Sequence, residues 1–169
     1  MNKIRAVLIV LTLSGCKSMM ENQTISKTNI NLTVDSWHKA AANANYDDYF
    51  ALMADYSVFI GTDASENWNK KAFQAYAKPH FDKGKAWNFT TLERHIYFDA
   101  TGKTALFDEL LNTQMKICRG SGVLVKIGKE WKIKQYVLSM TIPNENSNEV
   151  IKIKSALEDA TIQTLKSKR

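Results

Sequence analysis

The chain is poor in residues that would staple or ligate it. Only two cysteines, Cys16 and Cys118, stand among 169 residues. A disulfide scaffold is therefore excluded, and stability must come from a packed core. There is no HExxH pattern, no clustering of His and Cys and no comb of carboxylates, so no metal site is expected. GxSxG, Walker-type and GxGxxG patterns are also missing. Neither a nucleophile elbow nor a nucleotide cradle is indicated, and no cofactor is expected. The apolar run Ala6-Val7-Leu8-Ile9-Val10-Leu11-Thr12-Leu13 is far shorter than the ~20 residues that a membrane-crossing helix needs. Lysines are scattered rather than gathered into a stripe with aromatics, which excludes a nucleic-acid partner from the expectation.

What is present begins with an address. Lys3 and Arg5 precede the apolar run, and the small residues Ser14 and Gly15 precede Cys16. This is the three-part layout of a secretory signal. Leu13-Ser14-Gly15-Cys16 resembles the lipobox of bacterial lipoproteins. The resemblance implies a signal peptide over 1–15, lipid on the Cys16 thiol, cleavage before it and acylation of the new amine. Several acyl chains anchor a protein stably where one holds only marginally. Lys17 and Ser18 follow, with no Asp next to the Cys. That resembles lipoproteins sent to the outer membrane, facing the periplasm. Cleavage removes two basic residues and no acid, so the net charge of +6 becomes +4, a balance that suits anionic headgroups. Residues 16–31 are polar and aperiodic and read as the lipidated Cys and a tether. Residues 32–144 then form one domain and 145–169 a C-terminal helix.

The order of elements follows from periodicity. Thr33 can cap a first helix with the stripe Val34, Trp37, Ala41 and Ala44. Asn45 caps a second, with Tyr46, Tyr49, Phe50 and Met53 on one face. Tyr56–Ile60 reads as a short strand, and about Asn69–His80 as a third helix with Phe73, Tyr76 and Ala77 inward. From Trp87 the period becomes two, predicting strands over 89–98, 104–111, 116–127 and 131–140 joined as hairpins, and a last helix over 149–166. A three-residue loop, Gly128-Lys129-Glu130, sets Ile127 opposite Trp131, Val125 opposite Ile133 and Val123 opposite Gln135. That register brings Arg119, Ser121 and Gln135 to the inner face with Trp131 and Ile133. The result is an α+β domain whose helices cover one face of a curved sheet.

In this order the chain resembles the SnoaL-like branch of the nuclear transport factor 2-like superfamily. The residues that carry the resemblance are Tyr49-Phe50-Ala51-Leu52-Met53, Phe59-Ile60-Gly61-Thr62-Asp63-Ala64, Phe107-Asp108-Glu109-Leu110-Leu111 and the run from Cys118 through Trp131 and Tyr136 to Asn144. It implies a cone in which a curved antiparallel sheet wraps around the N-terminal helices and leaves a pocket at the open end. It also implies frequent homodimers through the outer sheet face. Members include isomerase-like, cyclase and dehydratase enzymes, ligand binders and assembly modules, so function has to be read from the site.

The expected site centres on Arg119. An inward guanidinium must be paired or face a wet cavity. It either holds an anionic ligand, with Ser121 and Gln135 beside it, or braces the cone against Glu109, Asp108 or Asp63. Asp108 and Glu109 are strand neighbours and point to opposite faces. Only one can line the cavity, as a general base or a salt-bridge partner, and the alternation does not choose between them. His95 is the candidate proton shuttle. Trp68 is expected at the pocket rim, with Tyr49 and Phe59 among the aromatics that bind the ligand. No residue matches the base and acid pair of the isomerase-like enzymes by motif. The favoured expectation is a lipid-anchored protein that binds a small apolar or anionic molecule, with an enzyme or an assembly module as the alternatives.

Overall fold

The computed structural model describes residues 3–168, with side chains from residue 23 on. The side chains of residues 1–15, expected as a signal peptide, and of Cys16 lie outside the described residues. The first helix, α1, spans Lys3–Ala42. The polar segment expected as a tether is thus helical, and the packed domain begins before residue 32. Ile30 is fully buried and extends the stripe Val34, Trp37 and Ala41 by one turn. Thr33 lies inside the helix, its hydroxyl donating back to the Asn29 carbonyl, so it caps nothing. No described helix is long and apolar enough to cross a membrane.

A short α2 (Tyr46–Ala51) follows. Met53, expected on it, opens strand β1 (Met53–Ile60). A three-residue β2 (Asn67–Asn69) leads into α3 (Lys70–Asp82), where the Asn69 side chain accepts from the Ala72 N–H. Four long strands come next, β3 (Thr90–Phe98), β4 (Thr104–Thr113), β5 (Lys116–Ile127) and β6 (Glu130–Met140). A short 3-10 turn at Asn144–Asn146 starts α4 (Ser147–Lys166). The sheet order is β2-β1-β6-β5-β4-β3. It is mixed rather than purely antiparallel, because β1 pairs parallel with β6. α4 does not pack on the domain, and Ile153 and Leu157 on its apolar stripe are exposed.

The sheet curves over a core built largely of rings. Trp37 of α1 stacks on Tyr49 at 4.8 Å between centroids and meets Tyr136 edge-on at 4.7 Å. Phe59 and Phe73 stack at 4.0 Å. Each of these rings is buried, and truncating one costs about 3–5 kcal/mol.

Two bulges decide which side chains face this core. In β6, Val123 pairs with Gln135 as expected, but Leu124 pairs with Ile133, so Lys134 has no partner. The hairpin loop is two residues long, with Ile127 opposite Glu130. The inner face of β5 is therefore Cys118, Gly120 and Leu124, while Arg119, Ser121 and Val123 face outward. In β3, Leu92 is the extra residue between the pairs Thr91–Leu111 and Glu93–Leu110. Thr91 and Arg94, three apart, both turn inward as a result.

Candidate functional site

Two polar features lie within the cone, and they differ in kind. The first is a closed cluster around Glu109. The structure resolves the choice between the two acids: Glu109 is fully buried, and Asp108 faces out. Glu109 stands directly opposite Arg94 on β3 and Gly120 on β5. Arg94 donates to Oε2 through Nε at 2.9 Å and through a terminal nitrogen at 2.7 Å. His38 Nε2 donates to Oε1 at 2.8 Å, and the Tyr136 hydroxyl donates to the same oxygen at 2.9 Å. Because the partner is a carboxylate, Nε2 carries the imidazole proton; the buried Nδ1 finds no partner. Arg94 is itself held by the side chains of Thr91 (3.0 Å), Asn31 (3.1 Å) and Asp35 (2.8 Å). Asn31, Asp35 and His38 follow one another at i, i+4 and i+7 along α1.

A Cβ on Gly120 would sit 2.2 Å from the Tyr136 hydroxyl oxygen, so the glycine is what lets the phenol reach Glu109. Burial pushes the Glu109 carboxyl up, but the His38 hydrogen bond and the charges of His38 and Arg94 outweigh it and hold the group below its ordinary range. Burial, with Glu109 second, pushes the Tyr136 phenol well up. A carboxylate offers about four lone-pair sites, and four close donors occupy them here. Glu109 is therefore a filled acceptor and an ion-pair partner, with no site left to take a proton from a substrate.

The second feature is an open cavity of about 260 Å³. Its walls include Phe59, Trp68, Phe73, Tyr76, Trp87 and Phe89, with Leu138 and Met115. Its polar lining is Thr62, Glu66, His80 and Gln114, and it contains no Lys or Arg. It opens at the end of the sheet that holds the β4–β5 turn and the end of β1. The β3–β4 and β5–β6 turns are at the opposite end, where Asp99–Lys103 and Gly128 form a groove with Gln23, Ile25 and Asn29 of α1. None of the residues that hold Glu109 lines the cavity.

The expected site residues divide accordingly. Trp68 and Phe59 line the cavity. Tyr49 is fully buried beneath it against Trp37, and burial pushes its phenol well up. Arg119 is a correction: the Lys134 bulge turns it to the outer face, where it is half exposed and approaches Asp108 at 3.4 Å. Ser121 and Gln135 turn outward for the same reason. His95 is also outside, 3.3 Å from Asp108 and 3.1 Å from Glu93. The sequence reading missed His38, Arg94 and Tyr136; the i, i+4, i+7 spacing of Asn31, Asp35 and His38 was the available signal. Among the described residues, no group of three or more His, Cys, Asp or Glu side chains could hold a metal ion.

Residues 30–143 match the SnoaL-like domain family. No curated protein sequence matches the chain. Among solved structures, the chain is similar to an NTF2-like protein of unknown function from Pseudomonas putida KT2440, at 17% identity and a TM-score of 0.60, covering 73% of this chain and 92% of that one. It is also similar to a candidate scytalone dehydratase from Novosphingobium aromaticivorans, at 10% identity and a TM-score of 0.62, covering 73% and 89%. A candidate dehydratase of the NTF2-like family from Streptomyces avermitilis gives 12% and 0.62, covering 72% and 99%. At such identities the likeness speaks for the fold and not for an activity. With the helices first, the curved sheet and the open-ended cone all in place, the chain has the fold of these NTF2-like structures and belongs to the SnoaL-like domain family.

Proposed function

We propose that this chain is an envelope lipoprotein, anchored through Cys16 and facing the periplasm from the outer membrane, whose cone binds a small, mainly apolar molecule without turning it over. One observation carries the binding part: an aromatic-lined cavity opens at one end of the cone, while Glu109, the one fully buried carboxylate among the described residues, does not line it and has no free acceptor site. The cavity is somewhat below the ~300–1,000 Å³ of drug-sized sites, so the ligand is small. An anionic ligand is not favoured, since no Lys or Arg lines the cavity. The anchor rests on the lipobox-like Leu13-Ser14-Gly15-Cys16. It is compatible with the geometry, because α1 enters at the end opposite the cavity, leaving the mouth directed away from the lipid.

A native mass spectrum of protein extracted in mild detergent tests both parts. The expected result is a covalent acyl increment that disappears in Cys16→Ser, and a non-covalent small-molecule increment on the folded protein. A chain lacking the acyl increment contradicts the anchor. A domain that never carries a small molecule contradicts the binding reading.

Homodimerisation belongs to the same proposal. Tyr97 and Leu106 stand opposite each other on the outer face and are 57% and 50% exposed. Such patches mark interaction surfaces. Light scattering should report a dimer for the domain and a monomer for Leu106→Lys; a monomeric wild type contradicts it.

A further inference from the structure

The cavity carries more information than its apolar walls. Glu66 is its only residue with a formal charge of either sign among Asp, Glu, Lys and Arg, in a chain whose net charge is +6. The carboxylate is placed by the loop that follows β1. The Gly61 N–H donates to the Glu66 carbonyl at 3.0 Å, and the Glu66 N–H donates to the Asp63 carbonyl at 2.9 Å. Asp63 turns its own carboxylate into the loop, accepting from the Ser65 N–H and hydroxyl. The Glu66 side chain folds across Gly61, where a Cβ would sit 2.1 Å from Oε2, and this oxygen accepts the Asp63 N–H at 3.1 Å. Among the described residues no Lys, Arg or His forms an ion pair with Glu66. Unlike Glu109, it retains acceptor capacity.

Trp68, Tyr76 and Trp87 line the same cavity as this charge. Trp68 and Tyr76 stack at 4.4 Å and share the cavity wall. Ring faces carry the negative end of the aromatic quadrupole and attract cations, with Trp the strongest. A carboxylate with spare acceptor capacity in a cavity lined by aromatic rings, with no Lys or Arg in the described lining, is complementary to an organic cation. We infer that the molecule bound in the cavity is an organic ammonium ion, methylated or attached to a flat apolar group, with its charge shared between Glu66 and the Trp68 and Trp87 faces. This inference rests on the binding reading above and specifies its ligand class.

The test titrates the whole domain, by tryptophan fluorescence and calorimetry, with three phenyl probes of differing charge: benzyltrimethylammonium, benzyl alcohol and benzoate. The titrations are run at pH 8. The expected result is binding of the ammonium about tenfold tighter than the alcohol, with benzoate weakest. In Glu66→Gln, whose amide oxygen can still accept the Asp63 N–H, the preference for the cation should vanish while affinity for benzyl alcohol is kept. Trp68→Ala should weaken all three. If benzyl alcohol or benzoate binds as tightly as the ammonium, or if Glu66→Gln leaves the preference intact, the cation inference fails and the binding reading stands. If none of the three binds, the binding reading fails with it.

Discussion

Two glutamates of one domain show what separates a brace from a binding group. Glu109 lies on the inner face of a central strand. Its oxygens are taken by Arg94, His38 and Tyr136, and its charge is already matched. Glu66 lies on a loop at the cone mouth, with one backbone donor and no cation. Both are carboxylates near aromatic rings. The difference is in their partners: a group whose lone pairs are all used holds the fold together, and a group with spare capacity beside a cavity can meet a ligand.

The largest effect is expected from removing the brace. Glu109→Ala leaves the guanidinium of Arg94, only 5% exposed, without its main counter-charge, and should cost about 3–5 kcal/mol of unfolding free energy. Denaturant titration measures it; a loss under about 1 kcal/mol, the range of surface pairs, would place Glu109 with Glu66 as a weakly held group. Next comes Gly120→Ala. Its methyl would collide with the Tyr136 hydroxyl, and overpacking of this kind costs about 1–3 kcal/mol. An unchanged midpoint would show that the Tyr136–Glu109 contact is dispensable.

The acid limb of stability sharpens the same contrast. The folded Glu109 carboxyl titrates below its ordinary value of 4.5. Its contribution is therefore present above that value and is lost as pH falls through the folded pKa. The melting temperature should drop below about pH 4.5, and the drop should be shallower in Glu109→Gln. A wild-type acid limb no steeper than that of the variant would contradict the assignment. The smallest effect belongs to Arg119→Ala. Its contact with Asp108 is partly exposed and worth under about 1 kcal/mol, and the change should leave ligand affinity untouched.

Much of this architecture was legible in the sequence. The long strands, the third helix and the C-terminal helix lie close to where periodicity puts them, and the pairings Val123–Gln135, Ser121–Val137 and Arg119–Ser139 agree with the structure. What could not be read was which way those pairs face. Val123, Leu124 and Val125 are all apolar, so alternation says nothing at that point, and an assumed three-residue loop without a bulge inverted β5 and the part of β6 beyond Lys134. The actual loop is one residue shorter, and Lys134 makes up the difference. Arg94 was hidden by the same device at Leu92. Glu109 could not be distinguished from Asp108 because the residues two away on either side are apolar for both. Ile30 and Asn31 were read as tether because their local surroundings are polar; only the spacing to Val34 and Asp35 ties them to the domain.

The contrast between brace and binding group reduces to one measurement: native mass spectra of the extracted Trp68→Ala and Glu109→Gln proteins, taken side by side after circular dichroism has shown both to be folded. The account predicts that the small-molecule increment is lost in Trp68→Ala and retained in Glu109→Gln. Retention in Trp68→Ala, or loss in a folded Glu109→Gln, would contradict it and move the binding site to the buried cluster.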